Sequence, residues 1–133
     1  MNLYQENILD HYQHPRNKRV MKKADIRRRE PNPVCGDDIE IFIKLRNGKV
    51  AEAQFEGNGC AISMAAASML TEELIGKTPK VILKMNQKSM VQLLGVDPGT
   101  ARISCATLAL KATQNGLIAS LNKTNKRHSK KGK

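Results

Sequence analysis

Between Ile39 and Arg46 the chain alternates strictly: Ile39, Ile41, Ile43 and Leu45 are aliphatic, and Glu40, Phe42, Lys44 and Arg46 stand between them. Successive side chains of a strand point to opposite faces, so the pattern places four aliphatics on one face of a single strand. Asn47-Gly48 follows at once. That pair suits a two-residue hairpin turn because both central positions need positive φ. The return strand is predicted over Lys49 to Glu56, with Ala51, Ala53 and Phe55 as its apolar face, making an antiparallel hairpin.

The segments around the hairpin read as helices. Asn2 is placed to cap a short amphipathic helix in which Tyr4, Ile8 and Tyr12 recur every four residues beside Leu9, and Pro15 stops it. Residues 16–34 are basic, then bounded by Pro31 and Pro33, and are read as a connector. Gly57-Asn58-Gly59 breaks the chain before Cys60, and Ala61 to Ile75 is predicted to be a helix rich in Ala, Met and Leu, ending at Gly76. Thr78-Pro79 opens another helix to about Met85, Ser89 is expected to cap a third to about Leu94, and Gly95 to Gly99 is a loop. The final helix is expected to start between Thr100 and Ser104 and to run to about Leu121, weakened by Gly116. With 133 residues, the chain is expected to form one domain over residues 1–121, followed by a Lys-rich, disordered tail over 122–133.

The net charge of +11 suggests a nucleic acid or a membrane surface as partner, but its distribution matters more than its total. Residues 16–30 hold eight Lys/Arg and two acids, residues 122–133 hold six Lys/Arg and no acid, and the remaining 106 residues sum to −1. Only four aromatics are present, Tyr4, Tyr12, Phe42 and Phe55, which argues against a stacking platform for single-stranded nucleic acid. The start of the chain, with Glu6 and Asp10, lacks the basic-then-apolar order of a signal peptide, and no apolar run approaches the roughly 20 residues that span a bilayer.

Three cysteines, Cys35, Cys60 and Cys105, cannot all pair within one chain, and a reducing cytoplasm fits them best. Isolated free cysteines are commonly small buried hydrophobes. Here all three fall at loop or helix-start positions, two adjoin glycine, and Asp37 lies two residues after Cys35. A helix N-terminus favours thiolate at Cys60 and, more weakly, at Cys105. Three thiolates and one carboxylate are the four donors of a tetrahedral metal site. His11 and His14, in or just after the first helix, are expected at the surface, and His128 lies in the tail.

The order Asn32-Pro33-Val34-Cys35-Gly36-Asp37, then Gly57-Asn58-Gly59-Cys60-Ala61-Ile62-Ser63-Met64, then Ala101-Arg102-Ile103-Ser104-Cys105-Ala106-Thr107-Leu108 resembles the U-type iron-sulfur cluster assembly proteins: IscU, the NifU N-terminal domain and SufU. Leu3-Tyr4, Asp10-His11-Tyr12 and Pro15-Arg16-Asn17 resemble the start of that family, so the likeness covers about residues 3–121. It implies an α+β fold, a short antiparallel β-sheet packed against helices, and one exposed site at which Cys35, Asp37, Cys60 and Cys105 converge. Ser104 stands where IscU-type scaffolds have His, and Val96-Asp97-Pro98-Gly99-Thr100 replaces their Leu-Pro-Pro-Val-Lys chaperone-docking motif. Both changes favour the SufU-like branch, as do Ile62-Ser63-Met64 and Ala101-Arg102. Only 44 residues separate Cys60 from Cys105, without the insertion SufU-like proteins carry there.

The resemblance implies a cytoplasmic protein of iron-sulfur cluster assembly that accepts sulfur from a cysteine desulfurase, SufS-type rather than IscS-type, and serves acceptor apoproteins. As a non-enzymatic scaffold, it would hold a transient [2Fe-2S] cluster on Cys35, Cys60 and Cys105, with Asp37 as a weak oxygen donor. As a zinc-dependent sulfurtransferase, it would hold Zn²⁺ on the same four residues, with Cys35 as persulfide acceptor by thiol exchange. The alternative from another class is a basic nucleic-acid-binding module with structural zinc, using residues 16–30 and the tail for nonspecific phosphate contacts.

Overall fold

The structure is a computed structural model that describes the backbone of residues 3–33 and 36–131 and the side chains of residues 5–33 and 36–122. Its elements run α1 (Leu3–Gln13), β1 (Ile26–Asn32), β2 (Asp37–Arg46), β3 (Lys49–Asn58), α2 (Ala61–Leu74), α3 (Pro79–Lys84), α4 (Gln87–Leu94) and α5 (Ile103–Lys131). The three strands form an antiparallel sheet in the order β1-β2-β3. Helices α2 and α5 pack on the sheet and on each other, and α1 lies against α2. This is the α+β arrangement of a short antiparallel sheet covered by helices.

The β2–β3 hairpin follows the alternation. Ile39, Ile41, Ile43 and Phe55 are fully buried, and Asn47 and Gly48 make the turn with φ of 55° and 75°. A register shift at Lys44/Leu45 sets Leu45 opposite Val50, and β3 continues two residues past the expected end, to Asn58. Phe42, on the opposite face, is also fully buried, with the Arg27 guanidinium 4.9 Å from its ring centroid. An arginine over an aromatic face shields it while keeping its charge in water.

Three expectations need correction. The segment read as a connector contains β1, paired with β2 from Ile26↔Ile43 to Asn32↔Asp37. Its apolar signal is weak because only Ile26 and Asn32 are buried; Arg27 pairs across the strands with Glu40, and Arg29 with Asp38. Much of the basic segment's charge is therefore spent within the sheet, and Pro31 is tolerated because β1 is an edge strand. The cap of α4 is Asn86 rather than Ser89: Asn86 Oδ1 accepts the Ser89 N–H at 3.2 Å, and Ser89 Oγ accepts the Asn86 N–H at 3.0 Å. Ser89 is thus the third helical residue of a reciprocal capping box. Finally, His11 is buried, with Nδ1 2.7 Å from Ser68 Oγ.

The segment after α1 is clamped to α2 and β3. The Arg16 N–H donates to Ser68 Oγ (2.8 Å), Asn17 Nδ2 donates to Thr71 Oγ1 (3.2 Å), and the Asn17 carbonyl accepts the Phe55 N–H (2.9 Å). These bonds give Pro15-Arg16-Asn17 a structural role: they fix how α1 lies on α2. Gly116 lets α5 approach β1, since a Cβ there would sit 2.9 Å from Ile26 Cγ2. Helix α5 extends to Lys131, beyond the expected end near Leu121, with no Pro or Gly between residues 117 and 131 to stop it. Asn2, the expected cap of α1, lies outside the described residues. Among the described residues no helix is long and apolar enough to cross a membrane.

Candidate metal centre

The centre forms where the open end of the β2–β3 hairpin meets two helix starts. Asp37 is the first residue of β2, and the Asp38↔Asn58 pairing brings it beside the chain leading into α2. Cys60 is the N-cap of α2, with extended backbone (φ −73°, ψ 173°) and no side-chain cap of its own. Its N–H instead donates to Asp37 Oδ1 at 3.1 Å. Cys105 is the third residue of α5 and is buried. The ligand atoms of Asp37, Cys60 and Cys105 all lie within 4.8 Å of one another.

The spacing suits one metal ion. In a tetrahedral zinc site, bond lengths near 2.0–2.3 Å place neighbouring donor atoms about 3.5–3.8 Å apart. Cys60 Sγ and Asp37 Oδ2 are 3.9 Å apart, close to this spacing, and the donor pairs with Cys105 lie within 4.8 Å. Asp37 divides its work, with Oδ1 engaged by the Cys60 N–H and Oδ2 turned toward the thiol. It would therefore be a monodentate ligand. The N-terminal ends of α2 and α5 put partial positive charge beside these donors.

The surroundings hold this geometry. Ser63 Oγ donates to the Cys60 carbonyl at 3.0 Å and lies 3.6 Å from Cys60 Sγ. Gly59 fits only because it lacks a side chain, since a Cβ there would lie 2.3 Å from Ser63 Oγ and 3.0 Å from Asp37 Cγ. Sequence reading treats Gly59 as a chain break and leaves Ser63 without a role; only the packing around Asp37 shows why both are needed. Ser104 Oγ accepts a hydrogen bond from Asn32 Nδ2 at 3.2 Å. Asn32 opens the Asn32–Asp37 motif, but the sequence gives its side chain no role.

Of the four residues expected at the site, Asp37, Cys60 and Cys105 are brought together, and Cys35 lies outside the described residues. His11 stays apart, with Nε2 3.8 Å from Glu72 Oε1. Burial, aided by the positive charge of Arg16, pushes its pKa below the usual histidine value. His14 is exposed, and the side chain of His128 lies outside the described residues.

Residues 3–127 match the family described as NifU-like N terminal domain. The chain is 40% identical over 132 aligned positions to the "Zinc-dependent sulfurtransferase SufU" of Bacillus subtilis (strain 168), covering 86% of this chain and 89% of that one. It is 33% identical over 124 positions to the "Iron-sulfur cluster assembly scaffold protein IscU 1" of Archaeoglobus fulgidus, covering 93% and 80%. Among solved structures, a putative iron-sulfur cluster assembly scaffold protein for the SUF system from Fervidobacterium islandicum AW-1 superposes with a TM-score of 0.74 at 24% identity, covering 84% of this chain and 94% of that one. That structural likeness speaks for the fold.

Proposed function

Since the chain belongs to the NifU-like N-terminal domain family, which includes IscU and SufU, we propose that it accepts sulfur from a cysteine desulfurase for iron-sulfur cluster assembly. In this reading Cys35, Asp37, Cys60 and Cys105 form one metal site, and Cys35 is the sulfur acceptor. The observation that carries the reading is the meeting of Asp37, Cys60 and Cys105 within 4.8 Å. Cys35 enters through its place two residues before Asp37 and through the family likeness. Zn²⁺ bound there would keep its thiol ligands deprotonated and fix their directions.

The transfer needs no external oxidant. The Cys35 thiolate attacks the outer sulfur of the desulfurase persulfide, the persulfide S–S bond breaks, a new S–S bond forms on Cys35, and the desulfurase cysteine leaves as thiolate. Asp37 holds the Cys60 N–H, so the start of α2 keeps its place during the exchange. Ser104 is engaged by Asn32 and supplies no imidazole, which favours sulfur relay over long retention of a cluster. In this reading the desulfurase is SufS-type, because Ser104 and Val96-Asp97-Pro98-Gly99-Thr100 depart from the IscU-type pattern, the place of action is the cytoplasm, and the domain spans residues 1–121.

Protein purified without oxygen is expected to carry about one Zn²⁺ per chain and to show little visible absorbance. It should stimulate a SufS-type desulfurase in a manner lost in Cys35→Ser, and reconstitution should give only a labile cluster. A long-lived [2Fe-2S] spectrum, with desulfurase turnover unchanged by Cys35→Ser, would replace the relay with the scaffold role.

A further inference from the structure

We infer that Asn32 is a positioning residue for the metal centre: it ties the strand position opposite Asp37 to the residue preceding Cys105. The inference rests on the reading above that Asp37, Cys60 and Cys105 bind one metal ion. Asn32 ends β1, is only 6% exposed, and is the cross-strand partner of Asp37. Its carbonyl accepts the Gly36 N–H at 2.8 Å, and its Nδ2 donates to Ser104 Oγ at 3.2 Å, across 72 residues of sequence. Ser104 is covalently joined to Cys105.

The three ligands come from three separate elements, and each must be set against the others. Cys60 is set directly against Asp37 by its own N–H. Cys105 sits on α5, whose neighbouring Ala106, Ala109 and Leu110 are buried in the apolar core. Apolar packing holds a helix against a sheet but is nondirectional, so it leaves the helix start free to turn or slide slightly. A part-buried amide hydrogen bond to the first turn limits that freedom, because breaking it exposes the polar Asn32 Nδ2 to a desolvation cost. Partners bonded directly to metal ligands typically change metal affinity 10- to 100-fold when removed, and a bond one residue away from the ligand is expected at the lower end of that range.

The test is a double-mutant cycle with metal alone as probe: Asn32→Ala, Ser104→Ala, both together, and Ser104→Thr. Zn²⁺ affinity is read by chelator competition, and geometry by the ligand-field bands of the Co²⁺-substituted protein. Each alanine variant should bind Zn²⁺ roughly tenfold more weakly and show altered Co²⁺ bands. The double variant should be no weaker than the worse single one, since both remove the same bond. Ser104→Thr, which keeps the hydroxyl, should stay within about twofold of the parent. Additive losses, or a Ser104→Ala variant with parental affinity and bands, would overturn the inference. Should Asn32→Ala fail to fold, the contrast between Ser104→Ala and Ser104→Thr decides alone. Cys105→Ser separates the two levels: parental Zn²⁺ affinity there would defeat the metal-centre reading itself.

Discussion

Cys60 and Cys105 both stand at helix starts, but they are held differently. Cys60 is the N-cap of α2 and partly exposed; its N–H is bound by Asp37, and Ser63 Oγ lies near its sulfur. Cys105 is the third residue of a much longer helix, is 3% exposed, and follows the Ser104 that Asn32 engages. The difference shows how a site can combine access with rigidity. Cys60 is positioned by polar contacts at the surface edge, where a partner can approach, while Cys105 is held by core packing together with the Asn32–Ser104 bond.

The largest effect expected is shared by both. Cys60→Ser and Cys105→Ser should each lower bound zinc from about one per chain to near none in metal analysis, because loss of a thiolate leaves too few strong donors. Unchanged metal content in either would break the comparison at its root.

Gly59→Ala should disturb the Cys60 side selectively. The added Cβ would meet both Ser63 Oγ and Asp37 Cγ, so we expect a stability loss of about 1–3 kcal/mol in denaturant titration, with weaker metal binding. Adding Ser63→Ala should recover part of the loss by removing the nearer atom; no recovery would show that Asp37 sets the limit.

Asp37 sharpens the same point through two substitutions. Asp37→Ala removes both the metal donor and the acceptor of the Cys60 N–H, and should cost about 0.5–2 kcal/mol, as loss of an N-terminal helix cap does. Asp37→Asn keeps a carbonyl oxygen for that N–H and should retain most of the stability. On a reconstituted cluster, Asp37→Ala should lengthen lifetime and slow transfer to an acceptor apoprotein. Equal lifetimes and transfer rates in parent and variant would remove Asp37 from control of lability.

In zinc-free protein, alkylation followed by peptide mapping should modify Cys60 several-fold faster than Cys105, because thiol reactivity follows exposure. Equal rates would mean that the start of α5 opens as readily as that of α2.

The smallest effect expected lies away from both cysteines, at His11. Burial lowers the His11 pKa, so the folded protein keeps this ring neutral while the unfolded chain protonates it below about 6.5. Its contribution is complete above that value and is lost as pH falls toward the lower folded pKa. Glu72 and Asp10 oppose the shift, and Arg16 adds to it. Denaturation midpoints should therefore fall more between about pH 7.5 and 5.5 for the parent than for His11→Gln.

Local chemistry made the hairpin, α2, α3 and the start of α5 legible, because alternation, an Asn-Gly turn and helix-start residues express themselves over a few residues whatever surrounds them. The same local chemistry, with the family likeness, marked Cys35, Asp37, Cys60 and Cys105 as donors. Tertiary structure alone decided the rest. β1 becomes a strand because Glu40 and Asp38 across the pairing meet its arginines, and because α5 covers its inner face. Phe42 is buried because Arg27 covers it, and His11 because Ser68 and the Arg16 clamp enclose it. The meeting of Asp37, Cys60 and Cys105, and the Asn32–Ser104 bond beside it, depend on strand register and on where α5 crosses the sheet. A contact spanning 72 residues of sequence, like that of Asn32 with Ser104, leaves no local pattern, because its energy exists only once the intervening chain has folded.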